Sequence, residues 1–221
     1  MTVLLNLLLG LGFVAAVGSA VHFWRIHLDA ARQDAMQAVA ARRGWALTVT
    51  GERLGRTGTL RLVPRGGLPW LAEARPKGAA GGPATSYEAE APRWAEGTLL
   101  MIAAPLPGAA EAGALPAVEA LRDLLGEETA RLAETLRVAP GPEGVAVLSD
   151  ANPTLRVDLG DLAQALRGWV PVAPGPRGLP VLVLSPEGLR LRLRHPIRRP
   201  EQMERFLDLA LELSRLIGPG R

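Results

Sequence analysis

From Val3 to Trp24 the chain runs without a single Asp, Glu, Lys or Arg, and this run constrains the fold more than any other segment. A helix crossing the hydrocarbon core of a bilayer needs ~20 predominantly apolar residues, and the run supplies that length. Two other readings compete with a membrane span. A cleavable signal peptide would find small residues at Gly18-Ser19-Ala20, but it wants a basic leader, and Met1 to Asn6 contain no Lys or Arg. A buried core helix that is hydrophobic all round would be unusual in a chain of this size. A span is therefore expected over residues 1–24, with His22, Phe23 and Trp24 placed where an interfacial aromatic belt belongs.

The flanks suggest an orientation. Arg25, Arg32, Arg42 and Arg43 follow the run closely, and no basic residue precedes it. Positive charge stays on the cytoplasmic side, so the C-terminal body is expected in the cytoplasm, at an inner membrane. Should the run instead be cleaved, the body would be exported. The absence of cysteine suits either compartment.

Lys77 is the only lysine, and the rest of the basic charge is arginine amid abundant Ala, Gly, Pro and Leu. That usage suits a GC-rich genome, and a net charge of +3 is no footprint for nucleic acid. About 195 residues follow the run, enough for a substantial hydrophobic core.

Between Arg25 and Arg43 there is neither Gly nor Pro, and Gly44 stands where a helix would end. The apolar run is thus expected to continue as a helical stalk over 25–43, making a rod roughly 60 Å long at ~1.5 Å per residue. Beyond it Trp45, Leu47 and Val49 alternate with Ala46, Thr48 and Thr50, the period of a half-buried strand. Further strands are expected at Thr59–Val63, Trp70–Ala74, Tyr87–Ala91 and Thr98–Ala103, with Leu99–Ile102 apolar on both faces and the most buried. Pro76 to Ser86 reads as a loop. Residues 44–104 thus form a β-rich meander, and the Pro/Gly/Ala stretch 105–115 a linker.

The segment 116–217 reads as a mixed module. Val118, Leu121, Leu125, Leu132 and Leu136 predict a helix over Ala117–Val138, with Glu127 and Arg131 paired on its other face. Gly144–Leu148 is an expected strand, and Asp158 caps a short helix with Leu159, Leu162, Ala163 and Leu166 inward. Val181–Leu184 and Leu189–Arg194 form a hairpin. Pro200 opens a last helix whose apolar face is Met203, Phe206, Leu207, Ala210, Leu213 and Ile217. The fold class is α+β, an antiparallel meander followed by a helix-and-hairpin module, and 44–217 could be one domain.

Catalytic signatures are missing from the chain. It has three histidines, His22, His27 and His195, at no metal-ligand spacing, and it has no cysteine nucleophile, Gly-x-Ser-x-Gly elbow or His-Glu-x-x-His. The glycines at 51, 55 and 58 lack the Gly-Lys-Ser/Thr ending of a phosphate loop and fit a hairpin turn. Asp150, Asn152, Asp158 and Asp161 fail the calcium-loop pattern. No catalytic, cofactor or metal residue is assigned.

Two interaction features remain. In Leu189–Arg194 alternation places Arg190, Arg192 and Arg194 on one face, and His195, Arg198 and Arg199 extend the run. Such a row needs acidic neighbours within the fold, a protein partner, or anionic lipid headgroups; without interleaved aromatics it does not suit nucleic acid. Inside the apolar run, Gly12, Ala16 and Ala20 recur at four-residue spacing, and Asn6 adds a polar group, a combination that favours helix packing in a membrane.

The expected function is binding: an accessory or scaffold subunit of a bacterial membrane assembly, anchored by one span, with a protein partner for the span or the body. Two alternatives belong to other classes. One is a membrane-tethered hydrolase or transferase built on Asp150, Asp158 or Asp161, and the other is a peripheral domain that binds anionic lipid.

Overall fold

The computed structural model describes residues 2–51, 58–79, 82–91, 94–103, 125–150, 152–153 and 157–218; within the first helix, the side chains of residues 2–15, 22, 25 and 26 lie outside the description. The body is α+β, built on one antiparallel sheet. Its strands are β1 (Trp45–Thr50), β2 (Thr59–Pro64), β3 (Trp70–Arg75), β4 (Ala84–Ala89), β5 (Leu99–Ile102), β6 (Arg137–Val138), β7 (Ala146–Ser149), β8 (Val181–Ser185) and β9 (Gly188–Leu193). They are ordered β1-β2-β3-β4-β9-β8-β5-β7-β6. The first four pair in succession, as the expected meander requires, but β5, its expected fifth strand, does not join them. The β8–β9 hairpin then enters between β4 and β5, so strands from both halves of the chain share one sheet.

Helix α1 (Thr2–Arg42) is continuous and stops two residues before Gly44. Its last turns dock on the body: Met36 and Ala40 are buried, and Gln33 and Val39 are half-buried. Arg42 reaches Glu204 at 3.1 Å, and Arg43 pairs with Glu204 at 2.8 Å and also with Asp208. These partly exposed pairs orient the helix more than they stabilise it; the burial of Met36 supplies the adhesion. The second half of the segment 25–43, expected as a stalk, therefore packs on the body.

Alternation divides the sheet into two faces. The inner face carries Leu62, Ala72, Tyr87, Leu191, Leu182 and Met101, packed under the end of α1 and two further helices, α3 (Leu159–Arg167) and α4 (Pro200–Ile217). Trp45, Trp70 and Tyr87 form an aromatic row across β1, β3 and β4, with centroid separations of 5.8 and 5.6 Å. Among the described residues, the opposite face is covered over β5, β7, β8 and the end of β9. There α2 (Glu127–Glu134) brings Ala130 and Ala133 onto Leu100, Ile102, Leu148, Val181 and Val183. This is why all four residues of β5 are fully buried. Over β2, β3 and the Glu88 end of β4 the same face is polar and more open, with Arg61 opposite Glu73 and Glu88 opposite Arg190.

Several expectations need correction. Strand β4 begins at Ala84 and ends at Ala89, earlier than Tyr87–Ala91, because Thr85 and Ser86 take ladder positions opposite Leu193 and Arg192. The predicted helix Ala117–Val138 does not run through: Gly126 has φ +81°, a conformation that interrupts a helix, and Arg137–Val138 is a short strand. Val118, Leu121 and the linker 105–115 lie outside the described residues. The capped helix, the hairpin and the last helix occur as expected, the Asp158 carboxylate accepting from the amides of Gly160 and Asp161. The transmembrane expectation gains no structural support, since among the described residues no helix is long and apolar enough to cross a membrane.

Candidate functional site

The six candidate residues of the arginine run and its extension divide among different environments. Arg190 sits on the open half of the polar face, where its guanidinium meets Glu88 at 3.0 Å, directly across from it in β4. Arg192, two residues on, is only 9% exposed and approaches the Thr129 hydroxyl of α2 at 3.5 Å. Arg194 is half-buried beneath Gly126, at the start of the same helix. The three side chains share a face, as alternation requires, but α2 covers the second and third. They do not form one exposed row.

Beyond β9 the chain is pinned by a buried hydroxyl. Thr85 donates to the carbonyl of His195 and accepts from the amide of Ile197, both at 2.8 Å. This makes His195 a turn residue, and burial lowers its pKa below the ordinary histidine value. Arg198 follows, half-buried. Desolvation lowers its pKa and the nearby carboxylate of Asp29, on α1, acts in the opposite sense. Arg199 is exposed at the start of α4.

On α1, before its docked turns, the described apolar side chains face solvent: Val17, Val21, Phe23 and Trp24 are all exposed, the last by 66%. Phe23 packs edge-on to His27 with centroids 4.6 Å apart. Ala16 and Ala20 are exposed on the same arm, while the side chains of Asn6 and Gly12 lie outside the description.

Two of the three carboxylates named as catalytic candidates have structural duties. Asp150 accepts from the amide of Thr98 at 2.6 Å, and Asp158 is the cap of α3. Asp161 lines an open groove of about 720 Å³ between α3 and α4, with Asp208, Glu212 and Arg205. A second groove, about 650 Å³, lies beside the β8–β9 turn and is lined by Leu71, Glu88, Leu132, Glu187 and Arg190. There the Ser185 hydroxyl donates to Glu187, holding that carboxyl below the ordinary range. No imidazole lines either groove among the described residues. No group of three His, Asp or Glu side chains able to hold a metal occurs among the described residues.

The chain has no match among protein families, curated proteins or solved structures. Sequence reasoning missed two partners, Glu88 for Arg190 and Thr85 for the 195–197 turn. Both become visible once the β4–β9 register is known, and nothing local in either segment announces it.

Proposed function

We propose that this chain is a single-span, membrane-anchored α+β domain that acts by binding, as an accessory or scaffold subunit of a membrane protein assembly, with its body on the cytoplasmic side. The observation that carries this reading is the arm of α1. Val17, Val21, Phe23 and Trp24 stand exposed on a helix whose later turns are locked to the body by Met36 and Ala40. Apolar area left in water costs about 25 cal/mol per Å², so such an arm requires a non-aqueous cover. The apolar sequence from Val3 onward extends the same arm to the length of a bilayer core. The exposed positions of Ala16 and Ala20 leave room for close approach of another helix. Binding is preferred over carboxylate catalysis because Asp150 and Asp158 are engaged by backbone amides.

The test is purification of the full-length protein in mild detergent beside a version whose residues 1–24 are replaced by an unrelated span, with mass spectrometry of co-purifying proteins. A near-stoichiometric partner lost on the exchange supports a subunit held through its anchor. A partner retained by both would move the contact to the body, and none in either sample would count against the scaffold reading.

A further inference from the structure

The run of basic residues after β9 belongs to two surfaces, and the second of them lies where α1 leaves the body. Arg75, which ends β3, is opposite Ala84, and Thr85 is opposite Leu193, so the β3–β4 turn and the connector 194–199 share one end of the sheet. The Thr85 clamp fixes that connector in place. Helix α1 passes the same end on its way out. Its final turn is paired to Glu204 and Asp208 of α4, and about three and a half turns earlier Asp29 lies close enough for its charge to act on Arg198. Asp29 also pairs with Arg32 at 3.3 Å. Lys77 and Arg199 are exposed at this end, with Glu201 in the first turn of α4 as an acidic counterweight.

We propose that this end of the sheet docks on anionic lipid headgroups, with Lys77 and Arg199 as the exposed contacts and Arg198 behind them, Arg32 being offset by Asp29. The proposal rests on the anchored reading, because the anchor sets the distance. Trp24 is suited to the hydrocarbon boundary. Asp29 follows it by five residues, a rise of ~7.5 Å at ~1.5 Å per residue. The headgroup layer is roughly 5–8 Å deep on each side of the hydrocarbon. Residues level with Asp29 therefore stand at the outer edge of the headgroups, within a Debye length of about 8 Å at physiological salt. A bilayer is always present at that height, whereas an acidic protein would have to be recruited there. Each basic side chain near an anionic surface contributes roughly a fivefold gain in partition.

The chain has no cysteine, so Gln202→Cys gives one labelling position at this end. The full-length labelled protein is reconstituted into vesicles of phosphatidylcholine alone, or with phosphatidylglycerol added, each carrying a headgroup acceptor dye. Energy transfer should be stronger with phosphatidylglycerol, should weaken as salt is raised, and should fall to the phosphatidylcholine level in Lys77→Gln/Arg199→Gln. Both positions are exposed, so this variant should melt like the parent, and a melting check excludes a folding effect. Equal transfer in the two lipids, with the protein still resistant to carbonate extraction, overturns the proposal and leaves the anchor intact. Carbonate extraction from both vesicle types, with low-salt flotation retained only on phosphatidylglycerol, overturns the anchor and keeps the lipid face. Loss from both vesicle types in low-salt flotation overturns both.

Discussion

The phenol of Tyr87, in the middle of the sheet, and the hydroxyl of Ser214, on α4, share a 3.0 Å hydrogen bond. Ser214 also donates to the carbonyl of Ala210, so in the neutral form the phenol is the donor to Ser214. Burial raises the Tyr87 pKa above the ordinary tyrosine value, and the Ser214 hydroxyl, able to turn and donate to a phenolate, offsets part of that rise. A raised folded pKa means that the native state holds this proton more tightly. The associated stability is complete below the unfolded value, about pH 10, and declines as pH climbs through the raised folded value. Tyr87 is the only tyrosine, so phenolate absorbance reports it alone. Its midpoint should lie above that of free tyrosine, and Tyr87→Phe should lose about 1 kcal/mol at neutral pH and flatten the alkaline decline. A titration indistinguishable from free tyrosine would sink this account.

Gly188 should be close to irreplaceable. Its φ is +131°, and a Cβ there would stand 2.3 Å from the carbonyl oxygen of Ala89, on the neighbouring strand. Gly188→Ala should cost about 2 kcal/mol or more in urea unfolding, with a shift of midpoint. Gly66→Ala, where a Cβ would meet nothing within 4 Å, is the control and should be nearly neutral.

The arginines of β9 should separate by environment. A double-mutant cycle on Arg190 and Glu88, both roughly half exposed, should return a coupling of only ~0.2–1 kcal/mol. Arg192→Ala should cost about 1–3 kcal/mol, because it removes a buried side chain that ties β9 to α2. Equal and negligible losses at both positions would contradict the burial described.

Helix α1 should be energetically divided. Met36→Ala should destabilise the body by ~2–5 kcal/mol, whereas Phe23→Ala should leave its melting in detergent unchanged. A version of the protein beginning at Gly44 should therefore be less stable than one beginning at Asp29, and thermal melting of the two in parallel decides the point.

What could be read from the residues alone follows the range of the interaction concerned. The strand at Trp45–Thr50 and the last helix announce themselves because their periods are local and strong. The β4 start was hidden because Ala84, Thr85 and Ser86 show no apolar alternation; they are strand only because β3 and β9 flank them. Gly126 sits inside a run of helical spacing, and one glycine is compatible with either a continuous helix or a break. The arginine run shows the same limit in the candidate site. Alternation put Arg190, Arg192 and Arg194 on one face, but the element that covers two of them lies some sixty residues earlier in the chain. The clamp by Thr85 spans 110 residues or more and leaves no local trace.

The strand order carries a consequence for how the molecule is made. β1 to β4 pair with one another in succession, and β5 pairs with β7, but the two sets meet only through β8 and β9. That hairpin follows β7 in the chain, so during synthesis β4 and β5 each lack a neighbouring strand along one edge until it is made. Ribosomes add roughly 5–20 residues per second, which leaves those edges open for several seconds before the hairpin emerges between them. The body is completed by insertion at its centre, and the vulnerable period for aggregation or chaperone capture is the interval before residues 181–193 arrive.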